Sequence, residues 1–437
     1  MQNFRNKFIA MGVLFCILLI ALAQIDGLVE DRQSLQAQVQ QDIARGGSGQ
    51  QHVVGPIMVA TFEEHIVEKN DKKESENRPR VRRYQRVLLP KNYQLDSDLD
   101  TEYRQLGIYK ALLYQSKNKI SGSFQVPHNW WSEDSDELLE VALVVAITDV
   151  RGIKDGLTAT LNQQPFELQP GTGLPQLGSG THIAIEPSWL RQQEVINFKI
   201  ALNLDGMKHL KVSPVGRETR VNISANWPHP NFVGHFLPRK PTITSVGFAA
   251  DWKTTFFATN MPDLMKACIE RKDCDAMVEA SLGVSLIDPV NQYLKTDRAI
   301  KYADLFILLT LFAFMLFEIF RRLAIHPIQY AFVGVAMAIF YLLLLSLSEH
   351  INFNIAYFIS SVSCSGILAI YISGVLGELK HGLFFGGGVL MLYMILFGLL
   401  ASEDFALLMG SIFVFLVLTV VMLMTRNVNW YALDVIK

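Results

Sequence analysis

The sequence predicts an α+β membrane protein, in which a β-rich extracytoplasmic domain is joined to a helical transmembrane bundle. Of the 437 residues, 50% are hydrophobic and 18% are charged, and the mean hydropathy is +0.24. These values fit neither a soluble domain nor a chain that lies wholly in lipid. Charges are dense from about residue 26 to residue 301 and sparse from Tyr302 to Met424. We therefore expect one polar domain and one membrane region.

Six apolar stretches are long enough to cross a bilayer as helices. A hydrocarbon core of about 30 Å takes roughly 20 helical residues, because lipid offers no partners to backbone N–H and C=O groups. The first stretch runs from Phe8 to about Ile25, and the others are 303–320, 328–347, 355–376, 382–400 and 405–424. We predict a transmembrane anchor over residues 1–25, a periplasmic β-rich domain over 26–300, a five-helix bundle over 301–427 and a cytoplasmic tail over 428–437.

The cations of the short connections predict the orientation of these helices, because cytoplasmic loops carry an excess of Lys and Arg. A cytoplasmic N-terminus places these cations inside, namely Arg5, Lys7, Arg321, Arg322, Lys380, Arg426 and Lys437. The two short outer loops then hold no Lys or Arg, only Glu349, His350, Glu403 and Asp404. Both termini are therefore predicted to be cytoplasmic, in a multi-pass membrane protein.

The first apolar stretch has two interpretations. Ala21-Leu22-Ala23 resembles a signal-peptidase site that follows a basic N-terminus. The apolar run is about 18 residues, which is longer than a usual signal-peptide core. It also continues into the polar, helix-favouring segment that begins at Val29. An uncleaved anchor is favoured, and cleavage after Ala23 is the alternative.

The outer domain is predicted to contain a polar helix and then many strands. Residues 28–45 form the helix, which the run Gly46-Gly47-Ser48-Gly49 ends. Stretches rich in β-branched and aromatic residues follow at 53–60, 108–126, 138–148, 195–205, 210–213, 220–227 and 243–258. Short strands without long helices between them are typical of a β-sandwich or a β-rich barrel, and both remain open.

Two cysteines of the outer domain form a candidate disulfide. Cys268 and Cys274 lie in a stretch, residues 262–280, that is predicted to be helical and to face an oxidising compartment. An unbroken helix separates them too far for a bond, whereas a turn at Arg271-Lys272-Asp273 brings them together. Both alternatives remain, with the disulfide favoured.

No catalytic, cofactor-binding or metal-binding residues are predicted. The sequence lacks a G-x-S-x-G elbow, an H-E-x-x-H motif, a Walker A sequence and a cluster of Cys and His at metal-ligand spacing. Gly171-Thr172-Gly173 and Gly178-Ser179-Gly180 are typical of turns, and His229 and His235 of loop histidines. The basic run from Lys72 to Arg83 alternates with acidic residues, which indicates a solvated loop and no nucleic-acid partner.

Three features of the predicted membrane region concern a second function class, transport. Glu318 is a candidate intramembrane functional carboxylate, although an ion pair with Arg321 at the headgroup level is the simpler interpretation. Glu349-His350 marks the outer interface or forms a pH-responsive pair. Gly386-Gly387-Gly388 indicates either a broken helix or close helix packing through small residues.

Several short motifs resemble those of the CreD family of inner-membrane proteins, also described as cell-envelope integrity proteins. They follow one another over nearly the whole chain: Gly55-Pro56, Asp149–Ile153, Pro170–Leu174, Asn226–Phe232 with Phe236-Leu237-Pro238, Gly247-Phe248, Asp297–Tyr302, His326–Tyr330, Phe340–His350 and Thr425–Tyr431. His235 and the loop at 68–83 depart from the family pattern.

The resemblance implies a bacterial inner-membrane protein that supports envelope integrity and is linked to the Cre two-component regulatory system. It implies no catalytic residues, and it favours the uncleaved anchor. We therefore expect a non-enzymatic protein whose partners are the lipid bilayer and an unidentified periplasmic or membrane protein. A transporter or channel with a periplasmic cap is the alternative. A hydrolase is disfavoured because no acid–base pair stands out.

Overall fold

The computed structural model describes residues 2–66, 80–127, 130, 136–288, 292–321, 325–401 and 406–426. The chain divides into two compact units, which we call the helical unit (Met1–Ala37 with Val290–Lys437) and the β unit (Gln38–Pro289). The predicted α+β class is confirmed. The domain boundaries at residues 26 and 300 stay predictions; the first helix continues without a break where its sequence becomes polar.

Helices occur in both units. In chain order they are α1 (Gln2–Gly46), α2 (Pro187–Leu190), α3 (Phe256–Thr259), α4 (Met261–Arg271), α5 (Asp275–Glu279), α6 (Gln292–Lys301), α7 (Ala303–Arg321), α8 (Pro327–Ser348), α9 (Phe353–Leu376), α10 (Leu379–Ala401) and α11 (Ala406–Thr425). The first helix of 45 residues is about 67 Å long at ~1.5 Å of rise per residue. It contains both the predicted anchor and the predicted polar helix.

Within the described ranges, four helices are long and apolar enough to cross a membrane: α1, α8, α9 and α10. A fifth span results if α6 and α7, which meet at an angle of 45°, count as one. The apolar part of α11, Leu408–Leu423, is shorter. The described parts of the six predicted stretches are therefore helical, and α6 precedes α7 across a bend that makes the pair either one broken span or a re-entrant loop.

Small residues allow close packing in the helical unit. A Cβ atom at Gly386 of α10 would lie 2.6 Å from the Cβ of Ala369 and 2.9 Å from the carbonyl oxygen of Ser365, both on α9. Gly387 and Gly388 have no neighbour within 4 Å on that side. Since α10 runs unbroken through this triplet, the structure supports packing rather than a broken helix.

The β unit contains two sheets. The strands are β1 (Gln51–Ile66), β2 (Arg80–Leu88), β3 (Asn92–Leu106), β4 (Tyr109–Gln125), β5 (Asp136–Ile147), β6 (Thr158–Leu161), β7 (Gln164–Phe166), β8 (Gln169–Pro170), β9 (Gly180–Ile185), β10 (Val195–Met207), β11 (His209–Val212), β12 (Glu218–Ala225), β13 (Pro230–Gly234), β14 (Thr242–Ile243), β15 (Phe248–Thr255) and β16 (Leu282–Leu286).

The first sheet has the order β13-β16-β11-β1-β5-β9-β8, with β2 paired to β1. The second has the order β14-β15-β12-β3-β4-β10-β6-β7. Alternate residues of the strands are buried, as in Phe198, Ile200 and Leu202 of β10, and one continuous core holds side chains from both sheets. Two sheets around one core form a β-sandwich, which resolves the choice that the sequence left open.

The predicted loop at the basic run is wrong from Arg80 onward, where β2 begins. This strand pairs with the acidic end of β1, so that Arg82 lies opposite Glu64 and Arg83 opposite Glu63. The Nε atom of Arg83 is 2.9 Å from a carboxylate oxygen of Glu63. Residues 67–79 of the predicted loop lie outside the described residues. Opposite charges on neighbouring strands favour this pairing at Arg82 and Arg83.

The helix predicted at 262–280 is divided into α4 and α5. The former ends at Arg271, and Lys272 follows in the left-handed region with φ of 58°. This conformation interrupts the helix, because a residue with positive φ cannot continue a right-handed helix. The turn considered at Arg271-Lys272-Asp273 is therefore present.

Candidate functional sites on the first helix

A buried carboxylate joins the start of α1 to α7 and α8. Glu318, whose side chain is 12% exposed, forms an ion pair with Lys7. The hydroxyl of Tyr330 donates to Glu318 Oε2 at 2.5 Å, and the N–H of Ile325 donates to Oε1 at 3.3 Å. Lys7 Nζ also donates to the carbonyl oxygen of Ile325 at 2.6 Å. We call these four residues the Glu318 cluster.

The Glu318 cluster changes the interpretation of the intramembrane carboxylate. The sequence suggested a partner three residues away, Arg321, whose side chain lies outside the described residues. The partner that the structure shows is Lys7, 311 residues distant. A single sequence contains no signal for such a pairing. A carboxylate that has a cation, a hydroxyl and an N–H as partners has hydrogen-bond donors for both of its oxygens. These contacts indicate that Glu318 holds three helical segments together.

A second carboxylate contacts α1 further along the helix. Glu349, whose side chain is 11% exposed, lies at the C-terminal end of α8. Arg32 Nε is 3.4 Å from Glu349 Oε1, and the hydroxyl of Tyr293 on α6 donates to the same oxygen at 3.2 Å. We call these three residues the Glu349 cluster. It repeats the composition of the first cluster, with one cation from α1 and one tyrosine around one glutamate.

The two clusters lie far apart along α1. Lys7 and Arg32 are separated by 25 residues, which is about 37 Å at ~1.5 Å of rise per residue. Between them, Leu18 and Leu22 are buried, and the side chain of Leu18 lies against Gly334 of α8. The first helix is therefore a packed member of the helical unit.

The C-terminus of α1 is capped within the β unit. Arg151 donates from Nη1 to the carbonyl oxygen of Arg45 at 2.6 Å and from Nη2 to that of Ala44 at 3.3 Å. The last carbonyls of a helix have no partner inside it, so this guanidinium satisfies two of them. Asp149 holds the guanidinium in place, because its carboxylate accepts from Arg151 Nε at 2.8 Å and from Nη2 at 2.6 Å.

Close packing surrounds this cap. The hydrogen bonds from Arg151 and from the N–H of Gly49 stabilise the charged form of Asp149 and lower the pKa of its carboxyl group. A Cβ atom at Gly152 would lie 2.6 Å from Gln51 Nε2 and 3.1 Å from the Cβ of Ser48, so only glycine fits here. The motif Asp149–Ile153 thus supplies the cap, its orienting carboxylate and the space for both.

Three of the motifs that carry the resemblance therefore provide contacts to α1. His326–Tyr330 supplies the hydroxyl of the Glu318 cluster, Phe340–His350 supplies Glu349, and Asp149–Ile153 supplies the cap. A model of the CreD family, described as inner membrane protein CreD, matches residues 3–431. The chain is also 34% identical over 424 residues to the inner membrane protein CreD of Escherichia coli strain K12, which covers 96% of this chain and 92% of that protein. The chain belongs to the CreD family.

Among solved structures, three of the similar chains are M1 zinc metallopeptidases. A mutant of the enzyme from Deinococcus radiodurans, bound to a Tyr-Ser-Ala substrate, matches with a TM-score of 0.23 and 9% identity, covering 38% of this chain and 39% of that one. The unmutated peptidase of the same organism gives a TM-score of 0.19. Scores at this level carry no argument about the fold or function of a CreD-family chain. The family itself is named as one of inner membrane proteins and not as an enzyme family.

The other candidate residues of the CreD-family chain lie apart from these clusters. Gly171 and Gly178 have positive φ and frame the turn that leads into β9, as predicted. The ring of His229 contacts Trp227 edge-on, whereas the N–H of His235 donates to the carbonyl oxygen of Ser281. Across the described ranges, no group of three or more His, Cys, Asp or Glu residues is placed to hold a metal ion.

The structure joins Cys268 to Cys274, with Cα atoms 4.2 Å apart, across the turn between α4 and α5. Cys268 is buried in the core of the sandwich, and Cys274 Sγ lies 3.4 Å from the carbonyl oxygen of Gln176. The bond closes a short loop, for which about 2 kcal/mol of stabilisation is expected.

We predict that this disulfide exists in the folded protein. In the SDS-denatured protein, iodoacetamide should modify Cys268 and Cys274 only after reduction, whereas Cys16 and Cys364 are free thiols that should react without reductant. Peptide mass spectrometry of the unreduced protein provides the measurement. Two alkylated cysteines at 268 and 274 without reductant would show that the thiols are free.

A buried histidine of the β unit predicts a pH dependence of stability. His52 Nε2 lies 2.9 Å from Ser213 Oγ, and burial, reinforced by the nearby Lys211, lowers the pKa of His52 to about 4. The unfolded chain binds a proton near pH 6.5, whereas the folded chain does so only near pH 4. The stability contributed by neutral His52 is present above pH 6.5 and is lost as the pH falls towards 4.

We therefore expect the β unit to lose at most about 2 kcal/mol between about pH 7.5 and about pH 5 through His52. In a His52→Gln variant this part of the loss should disappear, while His229→Gln, which changes an exposed histidine, should leave it unchanged. Urea unfolding followed by tryptophan fluorescence at the two pH values measures the difference. An equal pH dependence in His52→Gln and the wild type would contradict the assignment.

Proposed function

We propose that the chain supports the integrity of the bacterial cell envelope without catalysis, through a periplasmic β unit that contacts a periplasmic or membrane protein. The observation that carries the proposal is the match to the CreD family over residues 3–431. The link to the Cre two-component response belongs to the same proposal and rests on the resemblance alone.

The architecture supports a role in attachment. One helix, α1, belongs to both units, and separate polar contacts hold it in each of them. The Glu318 and Glu349 clusters bind it in the helical unit, and Arg151 caps it in the β unit. Such contacts suit a protein whose outer domain must remain attached to the membrane under load.

The proposed orientation places both termini in the cytoplasm and the β unit in the periplasm. The bias of Lys and Arg in the short loops supports this, and so does the disulfide, which requires an oxidising compartment. The same proposal keeps the N-terminal segment uncleaved, because Lys7 and Leu18 pack against the other helices.

A gene deletion tests the proposal. We expect the deletion strain to be more sensitive to detergents and to antibiotics that act on the wall when the Cre response is induced. Sensitivity should return to the wild-type level when the full chain is expressed from a plasmid. Unchanged sensitivity of the induced deletion strain would refute the proposed role.

A further inference from the structure

The β2 strand borders an open groove. Of the described strands, β2 pairs with β1 alone, so its second edge is not covered by another of them. Two adjoining cavities of about 820 and 530 Å³ lie beside it, and they are lined by every residue from Arg82 to Leu89. Since successive side chains of a strand point to opposite faces, a cavity lined by consecutive residues follows the edge of the strand.

The opposite wall of the groove is formed by α4. Lys266, Ile269 and Glu270 of this helix line it. The helix is fixed to the sandwich, because Met265 and Cys268 are buried in the core. The disulfide at Cys268 adds a covalent tie at its end. We call the space between Arg82–Leu89 and α4 the β2–α4 groove.

The groove carries an excess of positive charge. Its lining holds five cations, Arg82, Arg83, Arg86, Arg217 and Lys266, against two carboxylates, Glu64 and Glu270. Arg83 and Lys266 are already paired, with Glu63 and Glu270. Arg86 and Arg217 have no carboxylate within ion-pair distance in the described part of the chain. Their guanidinium groups lie 4.9 Å from the ring centre of Phe62 and 4.8 Å from that of Phe256, respectively. The guanidinium of Arg86 also donates to the hydroxyl of Tyr84 at 3.1 Å and to the carbonyl oxygen of Trp130 at 3.4 Å. Stacked in this way, the two guanidinium groups are held in place for an anionic partner.

In the part of the chain that the structure describes, no other strand pairs with the second edge of β2. Natural sheets protect exposed edges with charged side chains, proline or bulges, because unpaired backbone groups attract other chains. The arginines of β2 oppose a second basic strand in this way, but they favour an acidic one. The stretch from Gln85 to Leu88 contains no proline, and Val87 and Leu88 are apolar. An apolar edge beside a helix is the arrangement by which several domains bind an extended peptide as an added strand.

We infer that the β2–α4 groove binds an extended, acidic segment of a partner protein, which pairs with the edge of β2 as a further strand. Backbone hydrogen bonds to β2 supply the affinity. Carboxylates of the segment meet Arg86 and Arg217, and its apolar side chains contact Leu88 and Ile269. This inference rests on the proposed function, for which it names the chemistry of the partner.

A peptide titration with the full-length protein in detergent micelles tests the inference. The probe is a fluorescein-labelled peptide of about eight residues that alternates Val and Glu, which spans the edge at ~3.4 Å per residue. Fluorescence anisotropy should show it binding at least about tenfold more tightly than the same peptide with Lys in place of Glu. Two further peptides carry methyl groups on every second backbone nitrogen, one at the odd positions and the other at the even positions. At least one of them should bind about tenfold more weakly, because an added strand needs those N–H donors.

Matched variants locate the binding site. Arg86→Gln combined with Arg217→Gln should weaken binding of the Val–Glu peptide at least about fivefold, and Arg217→Gln alone should weaken it in the same direction. The control is Arg220→Gln combined with Lys253→Gln, which removes the same charge from exposed positions on β12 and β15 and should leave binding unchanged. Unaltered thermal unfolding of each variant establishes that it is folded.

Four outcomes overturn the inference: no binding of the Val–Glu peptide, equal affinity for the Lys peptide, unchanged binding by the Arg86 and Arg217 variants, or insensitivity to both methylated forms. Competition by vesicles of anionic lipid that requires Arg86 and Arg217 would assign the groove to a lipid surface instead. Failure of the proposed function can be distinguished from failure of this inference. The former appears as unchanged sensitivity of the deletion strain, a measurement that does not involve the groove.

Discussion

Replacing Glu318 with alanine is expected to lower the free energy of unfolding of the helical unit by about 3 kcal/mol. Removal of the carboxylate leaves Lys7, whose side chain is 24% exposed, without its counter-charge and the hydroxyl of Tyr330 without its acceptor. A polar group that loses its partner in a water-poor site keeps the full cost of desolvation. The free thiol of Cys364, buried in α9, reports the unfolding. Its rate of maleimide labelling, measured against SDS concentration in a Cys16→Ser background, gives the change.

Two comparisons make this prediction specific. Glu378→Ala removes a carboxylate that is 64% exposed and pairs with His381, so it should change the stability by less than about 0.5 kcal/mol. Lys7→Met combined with Glu318→Gln should recover at least half of the loss, because no unpaired charge remains. If the effects of the two single substitutions simply add, Lys7 and Glu318 are not coupled. A transport role of Glu318 predicts a different pattern, in which Glu318→Gln retains stability but abolishes flux in proteoliposomes.

Replacing Gly386 with valine is expected to destabilise the contact between α9 and α10 by about 3 kcal/mol. Even a methyl group at this position would lie 2.9 Å from the backbone oxygen of Ser365, and a backbone atom cannot move aside as a flexible side chain can. The helices must therefore separate, which removes the packing around Ala369. The Cys364 labelling assay detects the separation directly, since Cys364 lies on α9.

Gly387→Val is the matched control, because it changes the same residue type one position along and has no neighbour within 4 Å. It should alter the stability by less than about 0.5 kcal/mol, the size typical of substitutions at unpacked positions. Equal destabilisation by the two substitutions would indicate that backbone flexibility of the glycine triplet, rather than packing against α9, determines the stability at this position.

The sequence predicted those elements whose residues follow a clear period. The strand at Val195–Asp205 and the apolar helices were identified because burial on one face, or on all faces, leaves a direct pattern in the residues. The strand β3 was missed because Asp96, Asp98 and Asp100 occupy its outward positions, and Asp is depleted in strands. These aspartates are accommodated by Asn222 and Ser224 of β12 and by Asn226, which follows that strand; the three residues donate to them at 2.6, 2.7 and 2.7 Å.

The polar clusters of α1 were not predictable, for a different reason. Glu318 was identified as unusual from its own position, but its partner is 311 residues away, and local spacing carries no information over that distance. The packing role of the glycines is easier to infer from the sequence than these long-range pairs. Gly382 and Gly386 are separated by four residues, which places them on one face of a helix, whereas Gly387 and Gly388 fall on other faces.

The separation of the two ion pairs on α1 has a consequence for the lipid environment. Lys7 and Arg32 hold Glu318 and Glu349 at levels about 37 Å apart, which lies between the ~30 Å of a hydrocarbon core and the ~40 Å that includes the headgroups. In a markedly thicker bilayer, at least one pair would be drawn into hydrocarbon, and in a thinner one the helices would have to tilt. The helical unit thus has a preferred hydrophobic thickness, and lipid chain length becomes a determinant of its stability.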